Sequence, residues 1–216
     1  MRTMSVFIVS IDGPDFSGKT TISNLLVERF RKEFGKSIVI KRTSLPSDTI
    51  TGIVPKILRS VKTEIDSRVF SLAYALDHLH HYNVFIKPLI ESKRKYLVVM
   101  ERSLLSTYIY QGIIGSVDMR WLKKINAFCR TRPDLTVILK VEESELLKRI
   151  KLERREFDKF ETEQHVLKQA RAYYNLPASL RREFRVSYVD ANRDPPLVVE
   201  SIYELALPKL RCFIRS

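Results

Sequence analysis

The chain has 216 residues, 44% hydrophobic and 10% aromatic, enough for the core of one globular domain, and this excludes a disordered chain. Its 38 lysines and arginines against 25 acids leave a formal charge of +13, which favours a polyanion or a phosphorylated small molecule as partner, although a solvated charged surface accounts for it equally well. Two cysteines, Cys129 and Cys212, exclude a disulfide framework and a four-cysteine zinc site, and no apolar run approaches the ~18–20 residues of a membrane span.

Short apolar runs alternate with longer amphipathic ones. Residues 6–11 read as a buried strand, and 19–34 as a helix with Ile22, Leu25, Leu26 and Phe30 at helical spacing and Gly35 as its stop. A second strand follows at 37–41, then helices at 49–61 and 67–91, with Pro88 near the end of the longer one. A third strand at 96–101 leads into helices at 104–114 and 119–129. A fourth strand at 135–141 leads into helices at 143–152 and 162–182, with a charged stretch at 153–161 between them. A fifth strand at 185–190 and a helix at 196–206 close the pattern. Strand and helix in alternation predict an α/β fold: a parallel sheet with right-handed crossovers and helices on both faces. Ligands of such sheets bind at the carboxyl ends of the strands.

After the first strand stands Gly13-Pro14-Asp15-Phe16-Ser17-Gly18-Lys19-Thr20, followed by Thr21. It fits the P-loop pattern, G-x-x-x-x-G-K and then Ser or Thr. The glycines let backbone N–H groups curl around a phosphate, and the helix that follows points its positive end at the same anion. Lys19 adds a full charge to the β and γ phosphates, and Thr20 offers its hydroxyl to Mg²⁺, so ATP and Mg²⁺ are the expected cofactors. The third strand ends in Glu101, an acid placed to hold the metal or its water. Arg102 beside it is a candidate phosphate fork. Between Lys148 and Lys159 lie six bases and three acids, a segment that reads equally as a basic flap over polyphosphate or as a charged helix face.

With these residues in view the chain resembles the thymidylate kinase family, over residues 6 to about 202. The family P-loop, E-G-x-D-G-x-G-K-S/T-T, stands here as Asp12 through Thr21. The family pattern D-R-F/Y/H-x-x-S-x-x-A-Y-Q-G appears as Glu101-Arg102-Ser103-Leu104-Leu105-Ser106-Thr107-Tyr108-Ile109-Tyr110-Gln111-Gly112. Ile86-Lys87-Pro88 ends the long helix, which puts Tyr74 and His78 at the family's aromatic and Arg positions. Asp158-Lys159-Phe160-Glu161 resembles the lid pattern, and Val189-Asp190-Ala191 the end of the last strand.

The resemblance implies a single P-loop kinase domain over residues 1–216, with a lid at about 150–161 and a five-stranded parallel sheet ordered 2-3-1-4-5. It implies transfer of the ATP γ-phosphoryl to dTMP with Mg²⁺ by a homodimer; two cysteines read as ordinary thiols suit the cytoplasm, the apolar runs are too short for a membrane partner, and a nucleic-acid partner is not expected. Asp15 would hold the acceptor 3′-hydroxyl and Arg102 its phosphate. Tyr74 would stack on the base, and Ser106, Thr107, Tyr110 and Gln111 would line the base and sugar pocket. Arg149 and Asn192 would lie near adenine, and Arg154 or Arg155 would reach the transferred phosphate, because the loop position Phe16 bears no charge.

Three departures stand out. His78 replaces an Arg at the base edge, and a neutral imidazole can donate or accept one hydrogen bond. Glu101 replaces Asp and moves the carboxylate by ~1.5 Å. Ser44-Leu45-Pro46-Ser47-Asp48 replaces the family's E-P-G turn, with Arg59 in the following helix as a further candidate for the acceptor phosphate. The leading expectation is therefore a dTMP kinase. The alternatives are a kinase of this fold with another or broader acceptor, such as dUMP, and a catalytically weak ATP-binding module for nucleic acid or a protein partner.

Overall fold

Strand β1 (Val6–Asp12) is buried along its whole length, as a run of apolar β-branched residues at the centre of a two-faced sheet must be. A computed structural model of the chain describes residues 5–61, 63–152 and 162–215. On one side of β1 lies β3 (Tyr96–Glu101) and beyond it β2 (Val39–Ser44). On the other side lie β4 (Leu135–Lys140) and β5 (Val186–Asp190). The order is β2-β3-β1-β4-β5, every pair parallel. This is the order that the resemblance implied.

The alternation of side chains divides the core. Phe7, Val9, Ile11, Leu97, Val99, Val137 and Leu139 face α1 (Lys19–Phe34), α7 (Glu143–Leu152) and α10 (Pro195–Arg215). Ile8, Val98, Met100 and Ile138 face the opposite layer. That layer contains α3 (Ser67–His81), α4 (Lys87–Glu91), α5 (Leu104–Thr107), α6 (Met119–Ile125) and α9 (Ala178–Glu183), with α2 (Ile50–Ser60) packed on α3, while α8 (Glu163–Tyr174) joins the two sides, Val166 and Ala170 packing with the α7 side and Tyr173 with α5 and α9.

Several boundaries differ from the sequence reading, each for a physical reason. β2 runs to Ser44 instead of residue 41, because its polar end pairs in register with Val99, Met100 and Glu101. The helix expected at 67–91 changes pitch at Tyr82–Ile86, where the Lys87 N–H donates to Tyr82 O, five residues back, just ahead of Pro88. The helix expected at 104–114 likewise opens into a π-helical stretch at Tyr108–Ile114. The expected helix at 162–182 is two helices, because Pro177 stops the first and caps the second. The last helix passes Pro208 and continues to Arg215, where Phe213 packs on Phe7 with ring centroids 5.7 Å apart. Lys95 Nζ caps it through the carbonyls of Phe213 and Ile214 at 3.0 and 2.9 Å.

The parallel register brings the ends of three strands together. Ser44 and Ile11 both stand opposite Glu101, and Asp12 opposite Ile138. The functional groups gather at this edge.

Candidate active site

The loop from Asp12 to Lys19 turns on two glycines with positive φ, Gly13 at 148° and Gly18 at 86°. A Cβ on Gly13 would meet Ser17 Oγ at 2.8 Å, so the turn needs glycine there. Lys19, only 6% exposed, folds back so that its Nζ donates to Pro14 O at 2.6 Å. Burial pushes its ammonium down to about 7, and Arg102 acts in the same direction against Asp15, Glu101 and Asp12. Ser17 is buried, and its Oγ has no partner among the described residues. Thr21 is exposed on the first turn of α1. Phe16 is left-handed, with φ of 65°, and its carbonyl accepts from Arg149 Nη1 at 3.3 Å. Arg149 Nη2 also donates to Ala191 O at 3.1 Å, and Asn192 Oδ1 accepts the Glu142 N–H at 2.9 Å. Arg149 and Asn192 therefore flank the far side of the loop.

Thr20 Oγ1 donates to Glu101 Oε1 at 2.9 Å, and Arg42 Nη2 donates to Glu101 Oε2 at 2.7 Å. A hydroxyl and one carboxylate are hard oxygen donors, and they suit a Mg²⁺ ion that takes its remaining ligands from water and substrate phosphates. No cluster of three or more His, Cys, Asp or Glu able to cage a metal occurs among the described residues.

Asp15 is the junction of the site. Its carboxylate pairs with Arg102, lies 3.8 Å from Lys19 Nζ and 3.9 Å from Arg59 Nη2, and accepts Gln169 Nε2 at 3.1 Å. Burial works against its charge, yet Arg102, Lys19, Arg59 and Gln169 outweigh it and hold the carboxyl well below the usual range. Arg102 also donates to Tyr110 OH at 3.1 Å from a left-handed backbone with φ of 64°.

Beside this junction opens a cleft. Tyr74 and His78 from α3 line it, with Arg102, Ser106, Thr107, Tyr110 and Gln111 from the segment after β3. Arg59 of α2 and Pro46 complete the wall. All the cleft residues expected from the sequence are thus brought to one place. Ser106 lines the cleft but spends its hydroxyl inward, on Asp12 Oδ1 at 2.6 Å and Tyr173 OH at 2.8 Å. Arg154 and Arg155, and most of the lid at 150–161, lie outside the described residues.

Sequence reasoning missed four supporting groups. Asp12 is fully buried and accepts the hydroxyls of Ser10, Ser103 and Ser106, tying the loop to α5. Gln169 is fully buried, accepts Asp15 N–H at 2.8 Å and Tyr110 OH at 3.0 Å, and links α8 to both. Asp77 accepts Ser47 N–H at 2.8 Å and Thr51 OH at 3.1 Å, fixing the turn that carries Pro46. Arg42 pairs with Glu101. Gln169 was detectable, because it falls on the apolar stripe of α8 between Val166 and Tyr173, where a polar residue needs a partner.

The comparisons with known proteins agree with this geometry. The family model for thymidylate kinase matches residues 11–202. A probable thymidylate kinase of Thermococcus gammatolerans is 32% identical over 91% of this chain and 97% of its own length. The thymidylate kinase of Lactobacillus delbrueckii subsp. bulgaricus is 30% identical over 94% and 96%. A probable thymidylate kinase of Sulfolobus acidocaldarius is 26% identical over 96% and 100%. The crystal structure of thymidylate kinase from Ehrlichia chaffeensis superposes with a TM-score of 0.70 at 22% identity, covering 94% of this chain and 99% of that one, a likeness of fold.

Proposed function

Because the chain belongs to the thymidylate kinase family, we propose that it transfers the γ-phosphoryl group of ATP to dTMP, giving dTDP and ADP, and that the residues gathered at the strand ends perform the transfer. The observation that carries this reading is the junction at Asp15. One carboxylate touches Lys19 of the phosphate loop and also Arg102 and Arg59 of the cleft, so donor and acceptor sites share a wall. Relatives named as thymidylate kinases along nearly their whole length support dTMP over another acceptor, and catalysis over a binding module.

In this reading the loop N–H groups and Lys19 bind the β and γ phosphates. Arg102, with Arg59, holds the phosphate of dTMP in line with the γ-phosphorus. An acceptor phosphate oxygen forms the new P–O bond as the bond to the β,γ-bridging oxygen breaks. Fixed positive charge around a loose transition state is what accelerates such a transfer. Thr20 and Glu101 would hold Mg²⁺, which would supply neutralising charge to the phosphates. Arg149 and Asn192 bind the adenine side, and Tyr74 stacks on the acceptor base. Arg154 and Arg155 of the lid add charge at the transferred group, and lid closure keeps water from acting as acceptor. The whole chain works as one kinase domain in the cytoplasm. No helix among the described residues is long and apolar enough to cross a membrane.

We place the protein in a homodimer. Val69, Leu72, Leu76 and Leu79 form an exposed apolar row along α3, at helical spacing, that a second copy would cover.

The test is ADP release with ATP, Mg²⁺ and dTMP, beside parallel reactions with dUMP, dCMP, dGMP and dAMP and the Lys19→Ala variant. Turnover strongest with dTMP and lost in the variant is expected. Stronger turnover on another nucleotide contradicts the acceptor assignment.

A further inference from the structure

Arg42 is a guanidinium at the end of an apolar strand face. Side chains alternate along β2, so Ile40 and Arg42 share a face, and Ile40 is buried in the core on the α1 side. On β3 the residues Leu97, Val99 and Glu101 share that same face. Arg42 stands opposite Val99 in the parallel register, one diagonal step from Glu101.

Both oxygens of Glu101 are therefore occupied. Oε1 accepts from Thr20 at 2.9 Å and Oε2 from Arg42 Nη2 at 2.7 Å. The side chain of Glu101 is 15% exposed and that of Arg42 31%, so the pair is screened less than a surface pair. Arg42 Nε is closed to solvent and donates to nothing among the described residues, which leaves Glu101 as the group that holds the guanidinium.

The surrounding charge works in the same direction. Lys19, Arg42, Arg59 and Arg102 stand around Asp12, Asp15 and Glu101. Even with Lys19 neutral, this set carries no net negative charge. A bare divalent cation gains little from such a set, and it must displace Arg42 to take Oε2. The polyphosphate of ATP reverses the balance, because it brings several negative charges to the loop.

We propose that Arg42 is the built-in counterion of Glu101, a positioning residue that withholds the carboxylate from a bare divalent cation and so makes metal binding conditional on ATP. The inference rests on the proposed reading of Thr20 and Glu101 as the groups that hold the metal.

The probe is Mn²⁺, a divalent cation that suits the same oxygen ligands and is counted free in solution by electron paramagnetic resonance. Without nucleotide, the natural full-length chain should bind it weakly. Arg42→Gln should bind it about tenfold more tightly, the effect of removing one charge-assisted hydrogen bond from Glu101. Arg42→Met, with an apolar stem and no charge, should repeat the gain, and Arg42→Lys should stay near the natural chain. The gain should vanish when Glu101→Gln is added to Arg42→Gln. With ATP present the difference between the natural chain and Arg42→Gln should shrink, so the coupling between metal and nucleotide falls in the variant. Equal binding of bare Mn²⁺ by the natural chain, Arg42→Gln and Arg42→Met overturns the inference, as does a gain that survives Glu101→Gln. A merely structural Arg42 would lower Tm in these variants and raise no affinity. No arm uses an acceptor, so a chain inactive on dTMP defeats the kinase reading alone. If Glu101→Gln by itself leaves Mn²⁺ affinity in the presence of ATP unchanged, the reading of Glu101 as a metal holder fails, and this inference fails with it.

Discussion

Thr20 Oγ1 and Glu101 Oε1 meet at 2.9 Å, joining the first turn of α1 to the end of β3. A glutamate at this strand end reaches one methylene further than an aspartate would, yet its carboxylate still finds the hydroxyl of the phosphate loop. Arg42 on the neighbouring strand holds the second oxygen at 2.7 Å, so the longer side chain is braced at both oxygens. Glu101→Gln keeps the shape and removes the charge. Its kcat should fall about 100-fold and the Mg²⁺ concentration for half-maximal rate should rise, a loss typical of one electrostatic group in a transfer site. Steady-state rates across a Mg²⁺ titration check this. Glu101→Asp, with the charge but not the reach, should lie between.

Lys19 gives a pH prediction. In the free protein burial pushes it down to about 7. At pH 8 it is therefore largely neutral, and the polyphosphate of ATP raises it again, so binding takes up a proton. At pH 6 it is already charged and no uptake occurs. Calorimetry of ATP binding in buffers of different ionisation enthalpy measures the uptake, and Lys19→Met should abolish it at pH 8. The same shift acts on stability with a defined sign. From pH 7 up to the ordinary lysine range the unfolded chain keeps a proton that the folded chain has lost, so stability rises with pH there. The Tm of the ligand-free chain should gain on that of Lys19→Met across this window.

Gln169→Leu should weaken the junction at Asp15. It leaves the Asp15 N–H and the Tyr110 hydroxyl without their acceptor, which costs about 1–3 kcal/mol and lowers Tm. The KM for dTMP should rise about tenfold as Asp15 and Arg102 lose their alignment. Thermal unfolding and acceptor titrations check both effects.

The row on α3 predicts assembly. Leu72→Asp together with Leu76→Asp should convert a dimer into a monomer in sedimentation velocity, since neither exposed side chain supports the core of its own subunit.

Much of this was legible in the sequence, for reasons that lie in particular residues. The phosphate loop reads directly, because backbone curvature at Gly13 and Gly18 and charge at Lys19 are properties of residue types at a fixed spacing. The sheet order followed from the resemblance, and the buried runs of β1 and β3 mark a sheet covered on both faces. The supporting partners were not legible. Asp12 meets Ser103 and Ser106 across 91 and 94 residues, and Gln169 meets Asp15 across 154, and no local pattern encodes such pairings. The break at Pro177 divides a stretch, 162–182, whose helical periodicity runs on both sides of it. The pairing of Arg42 with Glu101 depends on the register between β2 and β3, which only the folded chain defines.

The most direct test of the account is a single turnover with ATP labelled in the γ-phosphoryl group, dTMP and Mg²⁺, followed by separation of the products. The account predicts that the label appears in dTDP at the rate at which ADP forms, and that Lys19→Ala and Arg102→Ala abolish the transfer. Label released as free phosphate, or retained in ATP while dTMP stays bound, would contradict it.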